Sequence, residues 1–253
     1  MVASLTALSA TPALAQAIPA GSGWNDDLVT GNRILADQEI LDGFGHLSMR
    51  SQTNPTRFWM SRSMAPALVT AADIMEFDLD GNAVDPRGRA VFLERFIHSE
   101  IYKSRPDVNA VVHAHTAAMI PFGVSATPLR PLIHVAGFLG ETVPIFEIRD
   151  VAGDATDLLV RNAQLGAALA RSLGAHPVAL MRGHGYVAVA SSVRQCVYRA
   201  IYTVVNAQAE AEALRLGTVK FLTPGEAKST AATMAPLVDR PWDLWKTQAL
   251  GER

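Results

Sequence analysis

The spacing of apolar residues changes repeatedly along the chain, which predicts alternating helices and strands. Apolar residues recur near helical spacing over 26–42, up to Gly43, so this segment is predicted as a helix. Residues 75–80 alternate between apolar and acidic side chains and meet Gly81-Asn82, which predicts a strand followed by a tight hairpin turn. The same patterns predict helices at 92–104, 157–173 and 192–216, and strands at 44–50, 57–60, 142–148 and 177–181. The sequence therefore indicates a mixed α/β fold.

The composition fits one globular domain without a nucleic-acid partner. With 253 residues, of which 49% are hydrophobic and 18% charged, the chain can bury one substantial core. The net charge is −2 and the basic residues are scattered, so we expect no positive surface that would attract nucleic acid. Cys196 is the single cysteine, which excludes an intrachain disulfide and fits a reducing compartment.

The two ends of the chain are predicted to lie outside the folded domain at 26–222. Residues 1–25 are interpreted as a leader, because residues 1–17 are small, apolar and uncharged and end in an alanine-rich stretch that resembles a cleavage site. The positively charged start of a secretory signal is absent, so a cytoplasmic protein is expected, with export as the alternative. No later stretch has the roughly 18 apolar residues of a membrane span, so no membrane partner is expected. Residues 223–253 are predicted as a partly helical extension of the kind that often reaches a neighbouring subunit.

Two histidines stand two residues apart, directly after an apolar, β-branched run that is predicted as a strand. In a strand, residues i and i+2 point to the same face, so the side chains of His113 and His115 are expected side by side. Neighbouring imidazoles are suitable ligands for Zn²⁺, Mn²⁺ or Fe²⁺, each of which needs a further protein ligand. His184 can supply that ligand, and three imidazoles leave an open coordination position for a substrate. The choice among zinc, manganese and iron stays open.

Several motifs occur in the same order as in a known family. They are Gly-His-Leu-Ser-Met-Arg at 45–50, Glu94 with His98, the run 102–108 that leads into His113 and His115, and Gly-His-Gly at 183–185. Over about residues 34–216 the chain resembles the class II aldolase and adducin family. The resemblance implies a three-layer α/β/α sandwich around a mostly antiparallel sheet, a ring-shaped homotetramer and metal sites near subunit interfaces. It also implies that His113, His115 and His184 hold the metal and that Glu94 is the acid–base residue.

The residues around Glu94 indicate a similar role. Glu94 follows the apolar residues 91–93, and desolvation in such a setting would raise its pKa toward the range needed for proton transfer. The alternative is a solvated helix carboxylate or a salt bridge to Arg95 or Arg149. His98, one turn further along the predicted helix, is expected to support the site rather than to bind the metal.

The departures from the aldolase pattern fall on positions that bind phosphate and cleave the carbon–carbon bond. Aldolases of the family carry two serines before the catalytic glutamate, where this chain has Phe92 and Leu93, and an asparagine where it has His46. The small turn downstream becomes 61–64, so the nest of phosphate-binding groups is lost. Val135 stands where one aldolase subgroup carries a proton-donating tyrosine. We therefore expect neither a phosphorylated sugar as substrate nor the usual aldol reaction.

The remaining groups resemble the decarboxylase branch of the family, which acts on hydroxylated aromatic or heteroaromatic dicarboxylates. A divalent metal would chelate a ring hydroxyl and a neighbouring carboxylate while a proton is delivered to the ring carbon that loses CO₂. The predicted catalytic residues are Glu94 and His46, and the predicted substrate-binding residues are Arg50, Arg62, His134 and Ser61, with Phe92 and Trp59 as an apolar wall. Each arginine has a structural ion pair as its alternative.

Three other functions stay open from the sequence. The first is an aldolase that acts on an unphosphorylated substrate, and the second is a non-haem oxygenase, because a three-histidine site also binds Fe²⁺. The third is a non-enzymatic module like the adducin head. The retained histidines and Glu94 argue against the third, since a scaffold without chemistry has no need for that cluster.

Overall fold

The computed structural model describes residues 23–251, so the predicted leader lies almost wholly outside the described residues. Within this range the strands are β1 (His46–Arg50), β2 (Arg57–Ser61), β3 (Ile74–Asp78), β4 (Ala110–Ala114), β5 (Ile145–Phe146), β6 (Val178–Met181) and β7 (Gly185–Ala190). The helices are α1 (Gly23–Asp37), α2 (Arg95–Ser104), α3 (Ile120–Val124), α4 (Arg149–Ala152), α5 (Ala163–Leu173), α6 (Val193–Leu216), α7 (Pro224–Met234) and α8 (Asp239–Leu250). No helix of residues 23–251 combines the length and the apolar composition needed to cross a membrane.

The described strands join one sheet in the order β3-β2-β1-β4-β7-β6-β5. Neighbouring strands are antiparallel except for β5 and β6, which are parallel. Helices α1, α6 and α8 pack on one face and α2 and α5 on the other, each set around its own apolar core. The predicted three-layer α/β/α sandwich around a mostly antiparallel sheet is therefore confirmed.

Alternation along two central strands decides which side chains face α2. On β4, Val112 packs in the core beneath α6, whereas Val111 packs in the core beneath α2. His113 has the same parity as Val111, so it points toward α2. On the neighbouring β1, His46 pairs with His113 and Ser48 pairs with Val111. Polar residues of both strands therefore share the α2 face.

Two predicted helices begin later than expected. Helix α2 begins three residues late, which leaves Glu94 in a non-helical conformation immediately before the helix. Helix α5 begins six residues late, because the side chain of Asn162 accepts a hydrogen bond from the amide of Leu165 and caps the helix there. Helix α1 also ends earlier, at residue 37 rather than 42. The start of α5 therefore depends on a capping group that the apolar spacing alone does not identify.

Two strand predictions have different outcomes. The hairpin turn predicted after the third strand forms, with the amide of Asp78 donating to the carbonyl of Asn82 at 2.9 Å. The strand predicted at 142–148 shortens to the two residues of β5 at the sheet edge. There it is held by the amide of Leu180, which donates to the carbonyl of Pro144 at 2.8 Å.

The C-terminal extension packs on its own chain. Trp242 and Trp245 of α8 are buried in the core that α1 and α6 share. Arg194 near the start of α6 pairs with Asp239 of α8 at 2.9 Å, and α7 packs against a 3₁₀ turn at His134–Leu139. The expectation that this extension reaches a neighbouring subunit stays a prediction.

Candidate metal centre

Three histidines meet at the end of the sheet where β4 ends and β7 begins. His113 lies on β4, His115 follows just beyond the end of that strand, and His184 lies in the turn between β6 and β7. The antiparallel pairing of β4 with β7 brings the two segments together. Gly185 permits this close approach, because a Cβ atom there would collide with the carbonyl oxygen of Ala114.

The Nε2 atoms of the three histidines converge on one point. Nε2 of His115 lies 2.9 Å from that of His113 and 3.0 Å from that of His184. Imidazoles that share a tetrahedral Zn²⁺ at about 2.0–2.1 Å hold their nitrogens about 3.3 Å apart, which is close to this spacing. Each neutral imidazole has a single N–H, so three facing Nε2 atoms cannot all satisfy one another. The donor set fits one divalent cation.

The state of two imidazoles also suits metal binding. Nδ1 of His113 donates to the backbone carbonyl of Tyr186 at 3.1 Å, which leaves its Nε2 as a lone-pair donor. Burial, with smaller contributions from His113 and His184, lowers the pKa of His115 to about 4. His115 is therefore neutral near pH 7, the form that binds a metal.

Glu94 adds a carboxylate to the three imidazoles. Its Oε1 accepts a hydrogen bond from the amide of Val160 at 2.8 Å. Its Oε2 lies 3.6 Å from Nε2 of His113 and 3.5 Å from Nε2 of His184. One atom from each of the four residues lies within 4.8 Å of the others. Glu94 is therefore placed either to complete the ligand set or to exchange protons beside it.

The pKa of Glu94 differs from the value expected from the sequence. Burial favours a raised pKa, but the close approach of His113 and His184 outweighs burial and lowers it. The expectation of a raised pKa is therefore wrong, and the carboxylate is ionised near neutral pH. The alternative of a salt bridge from Glu94 to Arg95 or Arg149 is not observed, because Arg95 donates to backbone carbonyls and Arg149 pairs with another carboxylate.

A chain of hydrogen bonds runs beside the cluster, between β1 and α2. Nδ1 of His46 lies 2.6 Å from Nε2 of His98, Nδ1 of His98 lies 2.6 Å from Oγ of Ser48, and Oγ of Ser48 lies 2.7 Å from the hydroxyl of Tyr102. All four residues are buried, and the ring of His46 lies 5.2 Å from that of His113. Sequence reasoning placed both histidines near the site but missed Ser48 and Tyr102. Their positions were a usable signal, since 46 and 48 share a strand face and 98 and 102 are one helical turn apart.

The four predicted substrate-binding residues do not join the convergent cluster. The guanidinium of Arg50 is buried and donates to the backbone carbonyls of Pro55, Tyr102, Arg105 and Val108, which favours a structural role. Arg62 pairs through Nε with Asp73 at 2.7 Å but keeps 40% of its side chain exposed. Ser61 is buried at the end of β2, and His134 is exposed at the start of its 3₁₀ turn. Their roles toward a substrate stay predictions.

An open cavity of about 440 Å³ leads to His115. It is lined by residues that follow α1, by residues that follow β4 and by one face of α6. Phe44 stands beside it, with 71% of the residue exposed and its ring 6.3 Å from that of His115. This volume lies in the range of ordinary small-molecule sites. The cavity is therefore large enough for a small planar molecule to reach His115.

The chain matches a family model described as Class II Aldolase and Adducin N-terminal domain over residues 26–211. It is 38% identical over 240 residues to the decarboxylase tropJ of Talaromyces stipitatus, covering 86% of this chain and 90% of that protein. It is 32% identical over 192 residues to a 3,4-dihydroxyphthalate decarboxylase of Arthrobacter keyseri, covering 71% and 74%. An L-fuculose 1-phosphate aldolase from Glaciozyma antarctica PI12 superimposes with a TM-score of 0.74 at 22% identity, over 90% of each chain. At that identity the superposition describes the fold alone.

Proposed function

Because the chain belongs to the class II aldolase and adducin family, we propose that it is a divalent-metal-dependent decarboxylase of a hydroxylated aromatic or heteroaromatic carboxylic acid. The observation that carries the proposal is the convergence of three Nε2 atoms beside an ionised carboxylate. The similarity to proteins named decarboxylases over most of the chain supports it. His113, His115 and His184 would hold Zn²⁺, Mn²⁺ or Fe²⁺, with Glu94 beside them.

Glu94 is ionised at the start, and it has to be, because it must accept a proton before it can deliver one to a ring carbon. When bound, a divalent cation would act as a Lewis acid toward a ring hydroxyl and a neighbouring carboxylate. The ionised Glu94 would take the proton of that hydroxyl and return it to the ring carbon that bears the departing carboxylate. The electron pair of the breaking carbon–carbon bond then restores the aromatic ring as CO₂ leaves. The hydroxyl oxygen regains a proton when the product departs.

The groups around the cluster support the proposed substrate class. Phe92 packs 4.6 Å from the ring of His46, and the exposed ring of Phe44 lies 6.3 Å from that of His115, so aromatic surface borders the cluster. Arg62 forms no hydrogen bond from its Nη atoms to any described residue, so it can hold a carboxylate that the reaction retains. A planar acid suits these surfaces better than a phosphorylated sugar.

The test measures CO₂ release by the full chain, stripped of metal and reloaded separately with Mn²⁺, Zn²⁺ or Fe²⁺ without oxygen. The first compound is 3,4-dihydroxyphthalate, which the name of one relative supplies, followed by related hydroxy-dicarboxylates. His113→Ala should abolish both metal binding and CO₂ release. His176→Ala removes an exposed histidine and should leave both unchanged.

Each outcome of this test has a definite meaning. Metal-dependent CO₂ release that His113→Ala removes supports the proposal. The absence of release with every metal and compound overturns it. Oxygen uptake with Fe²⁺, or cleavage of an unphosphorylated aldol, would assign one of the two competing activities instead. Light scattering tests the homotetramer that we propose for the assembly.

A further inference from the structure

The hydrogen-bonded chain from Tyr102 through Ser48 and His98 to His46 has a direction. Each of these residues is at most 3% exposed, so each buried polar atom needs a partner within the protein. The hydroxyl of Tyr102 contacts Oγ of Ser48 and has no other hydrogen-bond partner among the described residues. The phenolic proton of Tyr102 can therefore be accepted only by Ser48, and this sets the direction of the other hydrogen bonds.

One arrangement gives an acceptor to every proton between Tyr102 and His46. Tyr102 donates to Oγ of Ser48, and Ser48 donates to Nδ1 of His98. His98 then carries its proton on Nε2 and donates to Nδ1 of His46. His46 must carry its own proton on Nε2.

The opposite arrangement leaves a buried donor unpaired. If Nδ1 of His46 donated to Nε2 of His98, Nδ1 of His98 would have to donate to Oγ of Ser48. Ser48 would then donate to the oxygen of Tyr102. The phenolic proton of Tyr102 would then have no acceptor, which costs the desolvation of a buried hydroxyl. Burial also keeps His98 uncharged, because it lowers the pKa of that imidazole to about 3. A neutral His98 has a single proton, so it cannot donate in both directions.

We propose that Tyr102, Ser48 and His98 are positioning residues that hold His46 as the neutral tautomer with its proton on Nε2. Nδ1 of His46 is engaged by His98, so Nε2 points away from that contact, and the ring lies against His113 and Phe92. In this tautomer His46 offers the site a hydrogen-bond donor and has no free lone pair. It therefore serves neither as a metal ligand nor as a general base.

The partner of this donor is an anionic oxygen, such as a carboxylate oxygen of the substrate. That assignment rests on the proposed function, whereas the tautomer depends only on the protein. A neutral N–H donor holds a carboxylate without a proton transfer that would protonate it. This property suits a carboxylate that must stay ionised until it leaves as CO₂.

The tautomer is measured directly by carbon–nitrogen correlation spectra in solid-state NMR, on zinc-loaded full-length protein with isotopically labelled histidine. These spectra distinguish a protonated ring nitrogen from an unprotonated one and identify which nitrogen it is. The spectrum of His46→Gln assigns the His46 signals by their loss. We expect a protonated Nε2 and an unprotonated, hydrogen-bonded Nδ1. A protonated Nδ1 in His46 would overturn the proposal, whatever the enzyme activity.

Ser48→Ala tests whether the hydrogen bonds from Tyr102 through Ser48 and His98 set the tautomer of His46. Removing the hydroxyl deprives Nδ1 of His98 of its donor, so a second His46 population protonated on Nδ1 should appear. Ser99→Ala is the matched control, since it removes a buried hydroxyl of α2 that has no hydrogen-bond partner. It should leave the His46 signals unchanged. If His46 kept a single, unchanged tautomer in Ser48→Ala, the hydrogen bonds through Ser48 would not be what sets the tautomer.

The donor function is tested by two substitutions of His46 itself. His46→Gln keeps an N–H group near the position of Nε2, and His46→Leu removes it at similar size. We expect His46→Leu to lower kcat/KM by about 10- to 100-fold, as for a lost hydrogen bond to a charged group, and His46→Gln to restore most of it. Equal losses would contradict a donor role. If no substrate is found, the NMR result still decides the tautomer, so failure of the proposed function stays distinguishable.

Discussion

Glu210 offers the most quantitative prediction, because α6 buries its carboxylate and no salt bridge joins it to a described residue. The side chain is 0% exposed, and its Oε2 accepts hydrogen bonds from the amide of Arg130 at 3.0 Å and from the side-chain amide of Asn206 at 3.5 Å. Its Oε1 has no hydrogen-bond partner. Burial raises the pKa of Glu210 from 4.5 to about 7, against a smaller opposing effect of the Arg130 amide.

A raised carboxyl pKa makes stability fall as pH rises. The folded protein favours the protonated form, so the contribution of Glu210 is fully present below pH 4.5 and is lost as pH rises through 7. At roughly 1.4 kcal/mol per pKa unit, the free energy of unfolding should lose about 2–3 kcal/mol between pH 5 and pH 8 from this residue. For a chain of this length that corresponds to about 5–10 °C in Tm.

Glu210→Gln isolates this effect because it removes the titration and keeps an acceptor for Arg130. The free energy of unfolding is measured by urea denaturation at fixed protein concentration, at pH 5 and pH 8, for both proteins. Any packing cost of the amide is the same at both pH values and cancels. The variant should gain about 2–3 kcal/mol relative to the parent on going from pH 5 to pH 8. Glu212→Gln, at an exposed position on the same helix, is the control.

The reasoning would be refuted by a difference between parent and Glu210→Gln that does not change with pH. It would also be refuted if Glu212→Gln gave the same pH-dependent gain, since the effect would then come from net charge rather than from burial.

Three further predictions concern the site. Glu94→Gln should bind metal with little change yet lower kcat by about 100-fold or more, the usual effect of losing a general acid–base group; full turnover with bound metal would remove Glu94 from proton transfer. Arg62→Ala should raise KM for a dicarboxylate about 10-fold with little effect on kcat. Arg87→Ala, which breaks an exposed surface ion pair, should change neither. Unaltered kinetics in Arg62→Ala would make Arg62 structural. Gly185→Ala should lower the free energy of unfolding by about 1–3 kcal/mol and weaken metal binding, whereas Gly43→Ala, with open space at Cβ, should do neither.

The sequence predicted most of the fold because its main signals are local. Strand alternation and helical spacing depend on neighbours within a few residues, so the order of strands and helices was accessible. Helix starts were less accessible, since α5 begins where Asn162 caps it rather than where apolar spacing begins. Strand spacing placed His113 and His115 side by side, the family resemblance added His184, and the structure brings their Nε2 atoms together.

The electrostatic state of the site could not be predicted in this way. The pKa of Glu94 depends on two histidines distant in sequence, whose close approach outweighs the burial that the local sequence suggests. The role of Arg50 likewise depends on where the backbone carbonyls of the loops after β1 and α2 lie. Such interactions form between segments that only the folded chain brings together. Residue type and spacing therefore indicated which histidines meet but not the charge of their surroundings.

The convergence of the histidines has a consequence for the lifetime of the protein in a cell. His115 and His184 are 69 residues apart in sequence, and they meet at the seam between two central strands. A cation bound by both ties those strands together and adds its binding free energy to the native state alone. At a free metal concentration 100 times Kd this amounts to about 2.7 kcal/mol. Metal supply would then set how long the chain survives proteolysis as well as how fast it turns over.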